Sequence, residues 1–124
     1  MAVSFSLVRK IALALPGVEE RVCHDMPAFY VRKKIFGRLQ EDGETLSLAY
    51  PKAQRDELIE RSPDIFSVTD HFANYDYVLV NLHAANERVL RERLAGAWRM
   101  KATKQAVKDF DAANHGRTAA RNSP

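Results

Sequence analysis

The chain opens with a helical pattern of apolar positions. Leu7, Ile11 and Leu15 recur at the spacing of one helix face. Ser4 or Ser6 can accept a hydrogen bond from a free backbone N–H group as an N-cap, and the Pro-Gly pair that follows Leu15 stops the helix. The pattern therefore predicts a helix from about Ser4 to Leu15.

From residue 20 the pattern changes to that of strands. The run AFYVRKKIFGRLQEDGETLSLAY is rich in β-branched and aromatic residues, and Asp42–Gly43 within it is a strong hairpin signal. Arg32–Lys34 separates two strand-like runs and predicts another hairpin tip, although it contains neither Gly nor Asn. These runs predict a meander of three or four antiparallel strands.

The second half alternates again between helix and strand. Pro51 suits the first turn of a helix that Pro63 ends, and the runs DIFSVT and YVLVNL predict two more strands. Asn86 can cap a helix with an apolar face that includes Trp98, and Thr103 can cap a last helix. From residue 112 the chain becomes small and polar, which predicts a loose tail.

This order of elements predicts an α+β fold, with an antiparallel sheet of a hairpin meander plus a second hairpin packed against helices. A length of 124 residues suits a single domain, assigned to residues 1–112, with a C-terminal tail at 113–124. The composition is 46% hydrophobic and 28% charged, which is typical of globular proteins. With no apolar run long enough for a membrane span and only one cysteine, we expect a cytoplasmic protein without membrane contact.

Positive charge is concentrated near the C-terminus. Residues 1–87 carry 10 Lys/Arg and 13 Asp/Glu, whereas residues 88–124 carry 9 Lys/Arg and 3 Asp/Glu. Such asymmetry is typical of nucleic-acid-binding surfaces, although proteins that bind no nucleic acid also show it.

The usual signatures of catalysis and cofactor binding are missing from the sequence. Cys23-His24-Asp25 resembles a nucleophile, a base and an orienting acid, but neighbouring side chains in an extended strand point to opposite faces. The four histidines lack metal-ligand spacing, and no glycine-rich phosphate loop occurs. We therefore expect no enzyme activity, no cofactor and no metal site.

Basic residues are the remaining candidates for function. Lys101, Lys104 and Lys108 would form one stripe of a continuous helix, and Arg32, Lys33 and Lys34 would make a charged wing at the hairpin tip. These six side chains could neutralise backbone phosphates. The competing interpretation is an ordinary solvated helix face, because helices need a polar side. A second basic stripe comprises Arg88, Arg91 and Arg99.

Five segments in order resemble the MmcQ/YjbR-like proteins over about Leu7 to Asp111: ALALPGVEE, MPAFYVRKKIFGRL, DGETLSLAYP, HFANYDYVLVNL and AWRMKATKQAVKDFD. The positions that match the recurrent motifs of these proteins are Pro27, Phe29, Gly43, His71, Tyr75, Trp98 and Lys104. Two departures are Thr103, where relatives often have proline, and the segment ANYD, where relatives often have a glycine near the tyrosine.

The resemblance implies a small bacterial cytoplasmic protein with an α+β fold similar to secretion-chaperone-like domains. It also implies DNA binding through a double wing of paired hairpins, and it transfers no catalytic residues. The leading hypothesis is a non-enzymatic protein that contacts DNA phosphates without sequence preference. The alternatives are a protein-interaction adaptor and a small-ligand site in the loop that holds His71 and Tyr75.

Overall fold

The computed structural model describes the backbone of residues 3–122 and the side chains of residues 3–113. Within these residues the chain forms four helices and six strands. The helices are α1 (Phe5–Leu13), α2 (Lys52–Arg61), α3 (Glu87–Lys101) and α4 (Lys104–Asn122). The strands are β1 (Val18–Cys23), β2 (Met26–Val31), β3 (Lys34–Leu39), β4 (Thr45–Ala49), β5 (Phe66–Ser67) and β6 (Tyr77–Asn81).

The predicted α+β fold is confirmed. All six strands form one antiparallel sheet in the order β1-β2-β3-β4-β6-β5. Strand β6 pairs with both β4 and β5, so the second hairpin continues the sheet of the meander. Helices α1 and α3 pack against each other and against the sheet. The core between these layers contains the fully buried side chains of Val8, Phe29, Phe36, Leu48 and Trp98.

Two tight turns of the meander use left-handed backbone conformations without glycine. His24 and Asp25, between β1 and β2, have φ values of 51° and 67°, and Arg32 and Lys33, between β2 and β3, have 55° and 64°. Positive φ at both central residues matches the twist of a two-residue hairpin. The expectation of an extended strand through Cys23-His24-Asp25 is therefore wrong, because β1 ends at Cys23 and the next two residues form the turn.

A register shift between β2 and β3 occurs at Phe36, whose side chain lies in the core. Phe29 pairs with Gly37 and Tyr30 pairs with Ile35, so Phe36 is an extra residue on β3. A Cβ atom at Gly37 would lie 2.9 Å from a methyl group of Leu48, which is itself buried. Glycine at this position thus leaves room for close packing beneath the bulge.

The predicted N-caps are confirmed, with Ser4 as the first of them. Each cap side chain accepts a hydrogen bond from the backbone N–H three residues later, over 2.9 to 3.2 Å. The cap residues are Ser4, Asn86 and Thr103. Helix α4 continues to Asn122, through the segment for which the sequence predicts a loose tail. Ala and Arg, which are frequent there, are good helix formers.

Trp98 connects three parts of the chain. Its side chain is fully buried, and its Nε1–H donates a 2.9 Å hydrogen bond to the carbonyl oxygen of Pro16, just after α1. Its ring centroid lies 5.0 Å from that of Phe110 on α4. Helix α3 is therefore joined through one indole ring to the end of α1 and to α4.

We expect Trp98→Phe to lower the free energy of unfolding by about 2 to 4 kcal/mol. The variant leaves the Pro16 carbonyl without its donor and leaves a cavity where the larger ring was. Urea denaturation followed by circular dichroism measures the change. Arg88→Gln on the same helix is the control: its side chain is 87% exposed, so a change within about 0.5 kcal/mol is expected. Equal losses in both variants would contradict the role assigned to Trp98.

Candidate nucleic-acid interface

The β2–β3 hairpin carries three of the predicted cations at its tip. Arg32 and Lys33 are the two turn residues and Lys34 is the first residue of β3. All three side chains are exposed. Because a two-residue turn is narrow, it presents these charges beyond the end of the sheet.

The pairing of the strands brings the other basic segment to the same end of the sheet. Val18 pairs with Val31, so the segment that leaves α1 lies beside the hairpin tip. The hydrogen bond from Trp98 to Pro16 then holds the C-terminal part of α3 at this end. We call this end, which carries the turn at Arg32–Lys33 and the junction of α3 and α4, the tip end.

The three predicted lysines of the helices lie at or after that junction. Lys101 is the last residue of α3 and is half-buried, while Lys104 and Lys108 are exposed on α4, one turn apart. Ala102 is extended, with ψ of 165°, so α3 and α4 are separate helices. The uninterrupted three-lysine stripe is therefore absent, and Lys101 belongs to a different helix from the other two.

Ion pairing separates the two basic groups that the sequence predicts. Arg88 pairs with Glu92, Arg91 pairs with Glu87 and Arg99 pairs with Asp111. Within residues 3–113, by contrast, no carboxylate forms an ion pair with any of the six predicted phosphate-binding cations. Those six are Arg32, Lys33, Lys34, Lys101, Lys104 and Lys108.

The loop from residue 68 to 76 is held by a buried arginine that sequence reasoning missed. Arg55 on α2 is only 5% exposed, and its Nη1 and Nη2 groups donate to four backbone carbonyls over 2.8 to 3.3 Å. The acceptors are the carbonyl oxygens of Phe72, Ala73, Tyr75 and Tyr77. A signal was present, because Arg55 lies three and four residues before the half-buried Leu58 and Ile59.

The loop is also tied to the start of α2. The Asp76 carboxylate accepts a 2.9 Å hydrogen bond from the backbone N–H of Lys52, a group that has no partner within its own helix. The Asp76 carbonyl accepts from the N–H of Tyr50 over 2.9 Å. Since Tyr50 follows the last residue of β4, this part of the loop lies at the tip end.

Of the two loop residues singled out for a small-ligand site, only His71 lines a groove. His71 is exposed and contacts the ring of Phe72 edge-on, with 4.9 Å between centroids. It lines an open groove of about 460 Å³ between the β3–β4 hairpin and the segment 67–72, over Leu79. Tyr75 is not among the residues that line this groove.

The groove is a poor phosphate site. Hydrogen bonds from the Glu44 N–H and the Thr45 hydroxyl hold the pKa of the Asp42 carboxyl below its usual range. The carboxylate, which lines the groove, is therefore charged at neutral pH and would repel an anion.

Among the residues described, no helix is both long and apolar enough to cross a membrane, and no group of three or more His, Cys, Asp and Glu side chains is arranged to hold a metal ion.

Comparisons with known proteins identify a family and a fold. A family model described as YjbR matches residues 13–100. Uncharacterized proteins from Mycobacterium bovis and from two strains of Mycobacterium tuberculosis are each 42% identical over 53 residues, which span 43% of this chain and 41% of each relative. The crystal structure of a Deinococcus radiodurans protein with the family domain DUF419 superposes with a TM-score of 0.67. The two sequences are 21% identical, and the superposition covers 78% of this chain and 77% of the Deinococcus chain.

We expect Arg55→Lys to destabilise the fold by about 2 kcal/mol, because one ammonium group cannot replace the planar fork that donates to four carbonyls. Urea denaturation gives the free energy of unfolding, and hydrogen exchange reports protection of the Tyr75 and Tyr77 amides, which should fall. Arg61→Lys on the same helix is the control, since its pair with Glu57 is 69% and 73% exposed. Unchanged amide protection in Arg55→Lys would show that the loop does not depend on Arg55.

Proposed function

The chain belongs to the YjbR family, and on that premise we propose that it is a small non-enzymatic bacterial protein that binds DNA through contacts to backbone phosphates. The contacts come from Arg32, Lys33 and Lys34 at the hairpin tip and from the lysines of α3 and α4. These lysines are Lys101, Lys104 and Lys108.

The observation that carries this proposal is the difference in ion pairing between the two basic groups. Arg88, Arg91 and Arg99 of α3 are paired with carboxylates of the same protein, whereas the six tip-end cations form no ion pair with a carboxylate within residues 3–113. An unpaired cation that meets a phosphate releases a condensed counterion, which favours binding. A solvated helix face needs no such concentration of unpaired charge at one end.

The hairpin tip supplies a second argument. Asn and Gly adopt positive φ at little cost, and both are preferred in a two-residue turn of this kind. His24 and Asp25 in the neighbouring turn also tolerate it comparatively well. Arg32 and Lys33 tolerate it less well, at a cost of about 1 kcal/mol each. Local strain of this kind is often retained for function, and here it places two positive charges at a tip.

The expected binding has little sequence preference. Phosphate contacts position a protein on DNA but read no bases, and the proposed interface consists of cations that contact phosphates. If all six neutralise phosphates of a duplex, the logarithm of the binding constant should fall with the logarithm of salt concentration with a slope of about −5.

The two alternative hypotheses have weaker support. An adaptor would be favoured by a large contiguous apolar patch, whereas the described part of the chain exposes only four large hydrophobic residues. They are Leu13, Val22, Tyr75 and Met100. A small-ligand site would be favoured by an enclosed pocket around His71 and Tyr75. The groove is open instead, and of these two residues only His71 is part of its lining.

Changing Lys101, Lys104 and Lys108 to Gln tests the phosphate contacts. We expect at least tenfold weaker DNA binding at near-physiological salt and a salt slope smaller by about 3, because three phosphate contacts are lost. Fluorescence anisotropy with labelled duplex and single-stranded DNA, at low and near-physiological salt, measures both quantities.

The matched control changes Arg88, Arg91 and Arg99 to Gln, which removes the same number of positive charges. Because these arginines are paired with carboxylates, we expect a much smaller loss of affinity. Equal losses in the two triple variants would mean that net charge, and not a particular surface, governs binding. Binding confined to low salt in the unmodified protein would contradict the proposed function.

A double variant at the hairpin tip separates stability from binding. We expect Arg32→Asn with Lys33→Gly to raise the free energy of unfolding by about 1 kcal/mol, because the strained turn is relieved, and yet to weaken DNA binding. The control is His24→Asn with Asp25→Gly, a turn of the same conformation at the opposite end of the sheet, where affinity should be retained. Undiminished affinity in the Arg32 and Lys33 variant would remove the hairpin tip from the proposed interface.

A further inference from the structure

The backbone of Tyr75 is unusually well fixed for a loop residue. Its N–H donates to the carbonyl of Phe72 over 3.0 Å. Its own carbonyl accepts from the Nη1 group of Arg55 and from the N–H of Tyr77, over 2.9 Å in each case. Because the N–H and the carbonyl of Tyr75 are both hydrogen-bonded, the position of its Cα atom, and with it the base of the side chain, is fixed.

The side chain of Tyr75 is nevertheless 59% exposed. Within the described part of the chain it stacks on no other ring, whereas Phe72 and Tyr77 contact each other with 5.8 Å between centroids. An aromatic ring is a large apolar surface that folding normally buries. In this loop the backbone of Tyr75 is held by hydrogen bonds, while its ring is exposed to solvent.

Tyr75 lies at the same end of the sheet as the six cations. Tyr77 pairs with Ala49 at the start of β6, and Tyr75 is two residues earlier. In the sheet order, β6 is two positions from β3, so at the usual strand spacing their ends are about 10 Å apart. Lys52, which is exposed and has no carboxylate ion pair within residues 3–113, follows β4 at this end as well.

We propose that Tyr75 is a stacking platform for an unpaired base, and that the tip end therefore binds single-stranded DNA in preference to duplex. This inference rests on the proposed phosphate binding. Every base has a π-face that an exposed aromatic ring can contact, so stacking adds affinity without sequence preference. Bases inside a duplex already stack on each other and offer no free face to Tyr75. Lys52 adds a cation for the adjacent phosphates.

The test uses three labelled DNA probes at near-physiological salt: a single-stranded oligothymidine, an abasic strand of the same length and a duplex. We expect Tyr75→Ala to bind the oligothymidine about tenfold more weakly than the unmodified protein, and the abasic strand and duplex equally well. Tyr75→Phe keeps the ring and should retain affinity for all three probes. Because the side chain is exposed, urea denaturation should show unchanged stability in both variants.

A spectroscopic measurement reports stacking directly. Tyr75→Trp places a second indole at the exposed position, while Trp98 is buried and provides a constant background. We expect oligothymidine to quench the added fluorescence and the abasic strand to leave it unchanged.

The outcomes distinguish the two proposals. If Tyr75→Ala binds oligothymidine as the unmodified protein does, while the Lys101, Lys104 and Lys108 variant loses binding, the stacking role is wrong and phosphate binding stands. An equal loss on the abasic strand would also overturn stacking, because that probe has no base to stack. If the unmodified protein binds none of the probes at near-physiological salt, the proposed function fails and the stacking role fails with it.

Discussion

The hydrogen bond from the indole of Trp98 to the carbonyl of Pro16 is the contact on which the arrangement of the basic segments depends. It links two residues that are far apart in the chain and closes the helical layer over the sheet. Because Val18 pairs with Val31 immediately afterwards, the same contact brings the end of α3 to the hairpin tip. The ring contact with Phe110 then holds α4 nearby. This buried side chain thus ties together the segments whose charges share an end of the molecule.

Arg55 has a comparable role for the loop that follows β5. A buried guanidinium without a carboxylate partner would be costly, but four backbone carbonyls accept its hydrogen bonds. The hydrogen bonds also give a partner to loop carbonyls such as that of Ala73. The consequence is an ordered loop at the tip end, with the ring of Tyr75 in water.

The distribution of ion pairs indicates which part of the surface is available to a polyanion. Arg88, Arg91 and Arg99 on α3 pair with Glu or Asp, so each of these positive charges has a negative charge beside it. The lysines of the tip end form no ion pair with a carboxylate within residues 3–113, and the groove toward the other end of the sheet contains the charged Asp42. A phosphate chain would therefore be attracted to the tip end of the domain and repelled from the groove. This difference places the proposed interface at the tip end.

The sequence alone determined most helices and strands, because their signals depend only on residues that are close together in the chain. Apolar spacing predicted α1 and α3, cap residues such as Asn86 predicted where helices begin, and Asp42–Gly43 predicted a hairpin, because each signal acts within a few residues. The conformation of Arg32 and Lys33, the bulge at Phe36 and the partners of Arg55 were decided only by tertiary structure. These features depend on sheet twist, core packing and hydrogen bonds between distant segments. The same holds for the placement of the cations, since periodicity shows which residues share a helix face but not which helix end meets which hairpin.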